Sequence, residues 1–568
     1  MQRMKLITAC CLILASQFVF AQNDIKNWYL RDPQKDSFYG ISLNKTYDLL
    51  KGKKSTQIIV AVIDSGIDTT HEDLKSILWT NTGEIPGNGK DDDGNGYVDD
   101  IHGWNFLGNK DGSNLKKDVD ERTRVYYRFK EKFDGRQIDT TQLTADEKWQ
   151  YREWQKAAQQ MNVDPDDKME VMMLEILGKS LKKNDAVIRE EMQKDAYTRD
   201  ELEKFEPQTS KGKQAKMGFI TCLKMLNVED EETNVDLIKE LDEYVDGKKT
   251  SIDAKTAAPP DYRAQTIKDN YYAIDDKYYG NNDVMGPDPM HGTHVSGIIA
   301  AKRNNSIGID GIADNVKIMM IRAVPDGDEY DKDIALAIVY AVDNGAKVIN
   351  MSFGKSFSPE KKWVDEAIRY AESKDVLLVH AAGNESHDVD VVDNFPNPDL
   401  ITFNSTATNF ITVGASGDPH VGGGKLVADF SNYGKTTVDV FAPGVKIYST
   451  LPGGNQYGFL NGTSFSSPIV TGIAALIRSY YPELSASQVK YAIDKSIENK
   501  TDITVNVPGT DSTTTLQQLC ETGGFVNAYN AVEVAASLKA AVNADNKMKL
   551  NKNDKPVFVN SNEIKNKN

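Results

Sequence analysis

Ile58-Ile59-Val60-Ala61-Val62-Ile63-Asp64-Ser65-Gly66 is an apolar run that ends in a carboxylate at a glycine turn. The run is short, rich in β-branched residues and unbroken by polar positions. It reads as a strand buried on both faces, as parallel strands are. The same texture returns in Lys317-Ile318-Met319-Met320-Ile321, Val348-Ile349-Asn350-Met351 and Val376-Leu377-Leu378-Val379. Helical stretches, Lys332 to Asp343 and Glu360 to Ser373, alternate with these runs. A strand that is apolar on both sides needs helices over both faces. The alternation therefore predicts an α/β fold, a three-layer α/β/α arrangement with a mostly parallel central sheet.

Outward from this core the chain divides into five zones. Residues 1–21 read as an export signal: Arg3 and Lys5 lead, Leu6 to Phe20 are mostly apolar, and Val19-Phe20-Ala21 precede a cut before Gln22. A lipoprotein box at Ile7-Thr8-Ala9-Cys10 would leave almost no hydrophobic segment ahead of it. Residues 22–112 form the first part of the α/β domain, with a helix from Ser42 to Leu50, and residues 271–535 form the second. Between them, 113–270 is a mainly helical insertion. Glu147 to Met161 and Lys168 to Lys182 carry apolar residues at helical spacing, among them Met169, Met172, Met173 and Ile176. Asp164-Pro165, Glu206-Pro207 and Pro259-Pro260 punctuate the zone, and its methionines read as core. Residues 536–568 are Lys- and Asn-rich and read as a frayed tail.

Composition narrows the function. The 568 residues carry a formal net charge of -17, which argues against nucleic acid as a partner, since phosphate binding needs clustered Lys and Arg. With 39% hydrophobic residues the chain is not disordered as a whole. After the first residues no stretch is long enough for a membrane helix, so the expected destination is the periplasm or the extracellular space. Cys10 and Cys11 leave with the signal. Cys222 and Cys520 either pair there or remain two buried thiols, and sequence leaves both open.

Three segments carry chemistry. Asp64 closes the opening strand. His291-Gly292-Thr293-His294-Val295-Ser296-Gly297 starts an apolar helix with an imidazole, and Asn461-Gly462-Thr463-Ser464-Phe465-Ser466-Ser467-Pro468 places a hydroxyl at a glycine turn before a helix from Ile469 to Tyr480. A serine hydroxyl becomes a nucleophile when a base takes its proton, and a carboxylate behind the base fixes its tautomer. Val379-His380-Ala381-Ala382-Gly383-Asn384 is a strand entering a loop. There the Asn384 amide could join the Ser464 N–H as an oxyanion hole. Ser352-Phe353-Gly354 ends another strand, where an extended peptide could add a strand. The expected cleft is Ser352, Phe353, Gly354, Ala382 and Gly383 around Asp64, His291, Ser464 and Asn384.

These segments, in the order Asp, His, Ser, resemble those of the subtilisin-like serine proteases (subtilases). Val440-Phe441-Ala442-Pro443-Gly444-Val445 and Gly524-Phe525-Val526-Asn527-Ala528 add to the resemblance. It implies a serine endopeptidase cutting proteins or peptides through an acyl-enzyme. Two departures stand out. Asp64 and His291 lie 227 residues apart, far more than the family needs, so the helical zone must loop out. The stretch from Gln22 to Gly40 is too short for the pro-domain that many subtilases carry, which suggests the insertion as inhibitor or folding aid. The competing reading is a non-catalytic subtilase-like binding or chaperone protein. Intact Asp64, His291, Asn384 and Ser464 count against it.

Two calcium sites are expected. Asp91-Asp92-Asp93-Gly94-Asn95-Gly96-Tyr97-Val98-Asp99-Asp100 spaces oxygens like the first half of an EF-hand loop, with Asp91, Asp93, Asn95, the Tyr97 carbonyl and Asp99 as ligands and Asp100 as an extra one. His102 stands where the bidentate Glu belongs, so this is a calcium loop without an EF-hand. The second set rests on the resemblance: Asp73, Asn305 and Ile307 look like the family's strong calcium site. His291 and His294 lack the Glu of a zinc HExxH arrangement, so His294 is expected to pack beneath the site.

Overall fold

The structure is a computed structural model that describes residues 25–550 apart from 163, 227–232 and 498–502. The expected export signal and residues 551–568 of the expected tail lie outside the described residues. The opening strand, β1 (Ile58–Asp64), lies inside a seven-stranded sheet with β2 (Gly103–Asn105), β3 (Val316–Arg322), β4 (Ala346–Met351), β5 (Leu377–Ala381), β6 (Phe410–Ser416) and β7 (Val440–Pro443). The order is β2-β3-β1-β4-β5-β6-β7 and every pairing is parallel. Val62 faces Met320 on one side and Asn350 on the other. A hairpin, β8 (Ile447–Leu451) with β9 (Gln456–Leu460), lies outside this sheet.

Helix α1 (Leu43–Leu50) precedes the sheet. Among the helices between β2 and β3 are α2 (Glu121–Phe133), α3 (Ala145–Gln160), α4 (Pro165–Met192), α5 (Ser210–Met225) and α6 (Asn234–Thr256). Then follow α7 (Met290–Ala300), α8 (Asp331–Asp343), α9 (Lys361–Ser373), α10 (Thr463–Tyr480), α11 (Ala486–Asp494) and α12 (Ala528–Leu550). Side chains alternate across a strand, so β1 feeds two cores. Val60 and Val62 pack with Val295 and Ile298 of α7 and Ile469 and Ile473 of α10. Ala61 and Ile63 pack with Ile334 and Ile338 of α8 and Val364 and Ile368 of α9. This is the expected three-layer arrangement.

The helices of the long zone have local causes. Thr144 and Glu147 form a reciprocal capping box at α3. Asp164 caps α4, with Pro165 in its first turn, where a missing N–H costs nothing. Two expectations are corrected. Met169, Met172 and Met173 are more than half exposed, and Val171, Leu177, Leu181 and Ile188 are buried instead. Helix α4 is apolar on two faces: the one with Val171, Leu177, Leu181 and Ile188 turned inward, and Ile176 stays exposed with the methionines. The stretch from 536 is helical as far as Leu550. Its alanines favour helix, and Ala531, Val532 and Ala535 just before it are buried in the main core. Cys222 and Cys520 are free, buried thiols in separate apolar clusters.

Candidate active site

Parallel sheets place ligands at the carboxyl ends of their strands, where the strand order reverses. Here β1 runs between β3 and β4, and the loops after β1, β3, β4 and β5 border one cleft of about 390 Å³. Asp64 is the last residue of β1 and is buried. His291 is the second residue of α7, and its Nδ1 lies 2.8 Å and 3.0 Å from Asp64 Oδ1 and Oδ2. Two glycines make this approach possible. A Cβ on Gly292 would stand 2.2 Å from the Gly66 carbonyl oxygen. Gly66 has φ 138°, and a Cβ there would meet the Met285 carbonyl oxygen at 2.1 Å.

Burial by itself favours the neutral imidazole, but the Asp64 carboxylate outweighs it, and the proton affinity of His291 is raised above that of an ordinary histidine. About a third of the ring, 32%, remains exposed toward the cleft. His294, one turn on, shows the opposite case. It is buried with Nε2 donating to the Gly458 carbonyl at 3.2 Å, and burial lowers it to about 3. The Phe465 ring stands edge-on to it, with centroids 4.5 Å apart. His294 thus packs beneath the site, as expected.

Ser464 is the second residue of α10, so its backbone N–H has no partner within the helix and lies at the positive end of the helix dipole. Its hydroxyl donates to the Ser352 carbonyl at 3.1 Å, and the Ser352 hydroxyl donates to the Ser464 carbonyl at 2.7 Å. Asn350 ties the two elements together: its Oδ1 accepts from Ser467 and Thr471, and its Nδ2 donates to Ser352 Oγ. Asn384 Oδ1 accepts from the Thr463 N–H and the Thr463 hydroxyl, both at 2.9 Å. That leaves its Nδ2 as the donor end beside Gly462.

Of the expected cleft residues, Ser352, Phe353, Gly354 and Gly383 line the cavity with Asp64, His291, Asn384 and Ser464. Ala382 does not. It is buried in a separate apolar cluster, and its carbonyl accepts from Asn394 and Asn432. Asp328, Glu329 and Lys355 also line the cleft and were not foreseen. Their signal is spatial: the loop after β3 meets the loop after β4 only in the folded chain.

The acidic loop is drawn together differently from the expectation. Asp99 accepts from the N–H groups of Gly87, Asn88 and Gly89, and Asp91 from those of Gly94, Asn95 and Gly96. Asn95 Nδ2 bonds Asp93 and Asp100, and Tyr97 is a buried ring. Oxygens of Glu84, Asp93 and Asp100 instead lie within 4.8 Å of one another. Such a hard-oxygen donor set fits a calcium ion. Glu84 precedes Pro86, outside the loop pattern, which is why spacing did not reveal it. At the second site, Asp73 is buried and accepts from Asn305 Nδ2, the Ile309 N–H at 3.1 Å and the Tyr457 hydroxyl at 2.9 Å. The Ile307 N–H donates to Asn305 Oδ1.

An α/β sheet whose strand ends gather a carboxylate, an imidazole and a serine in one cleft has the layout of a serine hydrolase. The sequence profile of the subtilase family matches residues 55–514, and the chain belongs to that family of serine-type endopeptidases. A thermophilic serine proteinase of Bacillus sp. (strain AK1) is 38% identical over 48% of this chain and 58% of the relative. Subtilisin DY of Bacillus licheniformis is 39% identical, covering 37% of this chain and 72% of the relative. Thermitase of Thermoactinomyces vulgaris is 35% identical, covering 47% and 85%. The match thus spans little more than half of the first relative's length. Among the described residues, no helix is long and apolar enough to cross a membrane.

Proposed function

We propose that the chain is an exported serine endopeptidase that cuts proteins through an acyl-enzyme on Ser464. The observation that carries this reading is the Asp64–His291 pair at 2.8 Å in the cleft that Ser464 also lines. With substrate in place, the Ser464 hydroxyl leaves the Ser352 carbonyl and gives its proton to His291 Nε2 as it attacks the scissile carbonyl. Asp64 holds the Nδ1–H tautomer and stabilises the imidazolium that forms. The Ser464 N–H and Asn384 Nδ2 receive the developing oxyanion. His291 then protonates the leaving amine, and water releases the acyl group by the same route. The edges at Ser352–Gly354 and the loop at Gly383 hold the substrate extended.

Calcium is assigned a structural role, held by Glu84, Asp93 and Asp100 in the acidic loop and by Asp73 with the Asn305–Ile307 turn. A bound cation there neutralises clustered carboxylates and stiffens the loops. The 113–270 zone belongs to this reading as an insertion seated beside the cleft. A fluorophosphonate probe tests the catalytic part. It should label the purified protein at Ser464, and Ser464→Ala should lose both labelling and casein hydrolysis. Labelling elsewhere, or casein cleavage that survives Ser464→Ala, overturns the assignment.

A further inference from the structure

The corner of the cleft between the β3 and β4 loops holds more carboxylates than cations. Glu121, Asp331 and the Glu329 carbonyl surround the Lys355 ammonium, with Nζ 3.1 Å from Glu121, 2.8 Å from Asp331 and 2.7 Å from the carbonyl. Arg124 is paired with Glu121, lies 3.7 Å from Asp118, and donates to the carbonyls of Asp328 and Glu329. Both cations are therefore spent. Five carboxyls, those of Asp118, Glu121, Asp328, Glu329 and Asp331, face these two positive groups. Lys116, exposed at the cleft rim, and Arg322, whose guanidinium donates to the Ser65 and Leu115 carbonyls and to Asn105 Oδ1, are the other Lys and Arg residues lining the cleft.

Glu329 marks the place where a charge is missing. It lines the cleft, is only 2% exposed, and its Oε1 has no hydrogen-bond partner. A buried carboxylate oxygen without a partner is costly. Burial pushes the Glu329 carboxyl up to about 8 against the pull of Lys355, with the Asp328 charge adding to it. Burial likewise pushes Asp328 up to about 6. Among the described residues, these oxygens are not gathered closely enough to form a set of metal ligands, unlike Glu84, Asp93 and Asp100. A larger cation with spread donors suits acceptors placed this way, and a guanidinium has five N–H groups in a planar fork.

We propose that this corner is a substrate subsite for an arginine side chain, with Glu329 and Asp328 as its specificity-determining carboxylates and Asp326 at its rim. The subsite rests on the peptidase reading above and gives it a preference. The corner lies in the same cavity as Ser464 but in different loops, so it reads a residue flanking the one placed at the cut. Lysine fits less well, because a compact ammonium reaches fewer of the separated oxygens.

The test uses the full chain and N-terminally acetylated peptides in which arginine, citrulline or norleucine is moved through each position on both sides of one cleavable bond. Arginine should exceed citrulline by about tenfold or more in kcat/KM at one position, the scale on which buried charge pairs discriminate. Glu329→Gln should reduce that arginine-to-citrulline ratio by about tenfold. Asp328→Asn should reduce it as well, which keeps the test open if Glu329→Gln folds poorly. Cleavage of neutral peptides with no position favouring arginine overturns the subsite and leaves the peptidase reading standing. A preference that appears only with unblocked peptides overturns it too, because the corner then takes a terminal ammonium. Failure to cut any peptide overturns both.

Discussion

The catalytic body and the helical insertion are held by different physics. In the body, both faces of the sheet close over branched apolar side chains, and β1 alone contributes Val60 and Val62 to one core and Ala61 and Ile63 to the other. At the seat of the insertion the fixed points are charged. The start is tied by Glu121 and Arg124 to Lys355 and Asp331, and the end by Arg263 to Asp269 and Asp333. Apolar burial is non-directional and supplies most of a domain's stability. Buried ion pairs gain little net energy against their desolvation but are costly to leave half-made. The body is therefore built to be stable, and the seat to hold one orientation beside the cleft. Apolar contacts also cross the seat: Phe357 packs with Val125, Phe129 and Trp154, and Leu115 and Ile267 join the core of Ala61, Ile63 and Ile334.

The sharpest way to separate the two regions is to disable one and watch the other. Asp64→Asn keeps the shape and removes the charge behind His291, and should lower kcat by about 10,000-fold while hydrogen exchange in the insertion stays unchanged. The same variant moves the acid limb of the pH–rate profile. Asp64 raises the His291 affinity for a proton, so without it burial alone acts and the limb shifts to lower pH. The linkage sign follows. In the wild type this pair adds stability that is full below the ordinary histidine range and is lost as pH rises through the raised value. A limb that moves to higher pH in Asp64→Asn would contradict the electrostatic account of the pair.

Lys355→Met attacks the seat. It strips the ammonium from Glu121 and Asp331 and leaves buried carboxylates unpaired, at a cost of about 3–5 kcal/mol. Hydrogen exchange over residues 121–160 should speed up accordingly, while the fluorophosphonate probe still labels the protein. Loss of protection spread evenly over β1 to β7 would show that body and insertion unfold as one unit and would erase the distinction.

The body was legible because each strand announces itself in a local run. The β1, β3, β4 and β5 runs were placed to within two residues at their ends, and so were α3, α8 and α9. Strands β2, β6 and β7 were not read as strands; Val440–Pro443 was noted only as a family-like segment. β2 is three residues long, Gly414 breaks the apolar run of β6, and β7 is four residues ending in a proline. The segments of the proposed triad could be read because each is a short motif at a strand end or helix start. The acidic corner was not, since Asp328 and Lys355 belong to different loops and Glu121 to a helix far earlier in the chain. The face of α4 was misread because spacing cannot rank methionine against leucine. Packing against α5 and α6 selects the face, and it leaves Ile176 outside together with the methionines.

Asn384→Ala probes the body with a smaller expected effect. Losing the proposed oxyanion donor should lower kcat by about 100- to 1,000-fold, the loss seen in subtilisin when such a donor is removed. KM should change little, because the donor acts on charge that develops only in the transition state. Asn384 also anchors Thr463 through Oδ1. A loss that falls on KM would therefore indicate a displaced α10 start.

The smallest effect is expected at the neutral part of the seat. Trp149 donates its indole N–H to the Ser358 carbonyl at 2.7 Å, and its ring stands edge-on to Phe395 and under Arg152. Trp149→Phe keeps an aromatic ring against Phe395 and removes the donor. A neutral hydrogen bond contributes about 0.5–1.5 kcal/mol, so protection over residues 145–160 should fall by about tenfold at most, with peptide turnover preserved. The contrast with Lys355→Met is the point of the measurement. If the seat is ordered by charge, the neutral contact is the lesser one, and the ratio of the two losses should exceed tenfold. If Trp149→Phe releases α3 as completely as Lys355→Met does, the aromatic contact holds the insertion, and the buried ions are passengers in a seat made by packing.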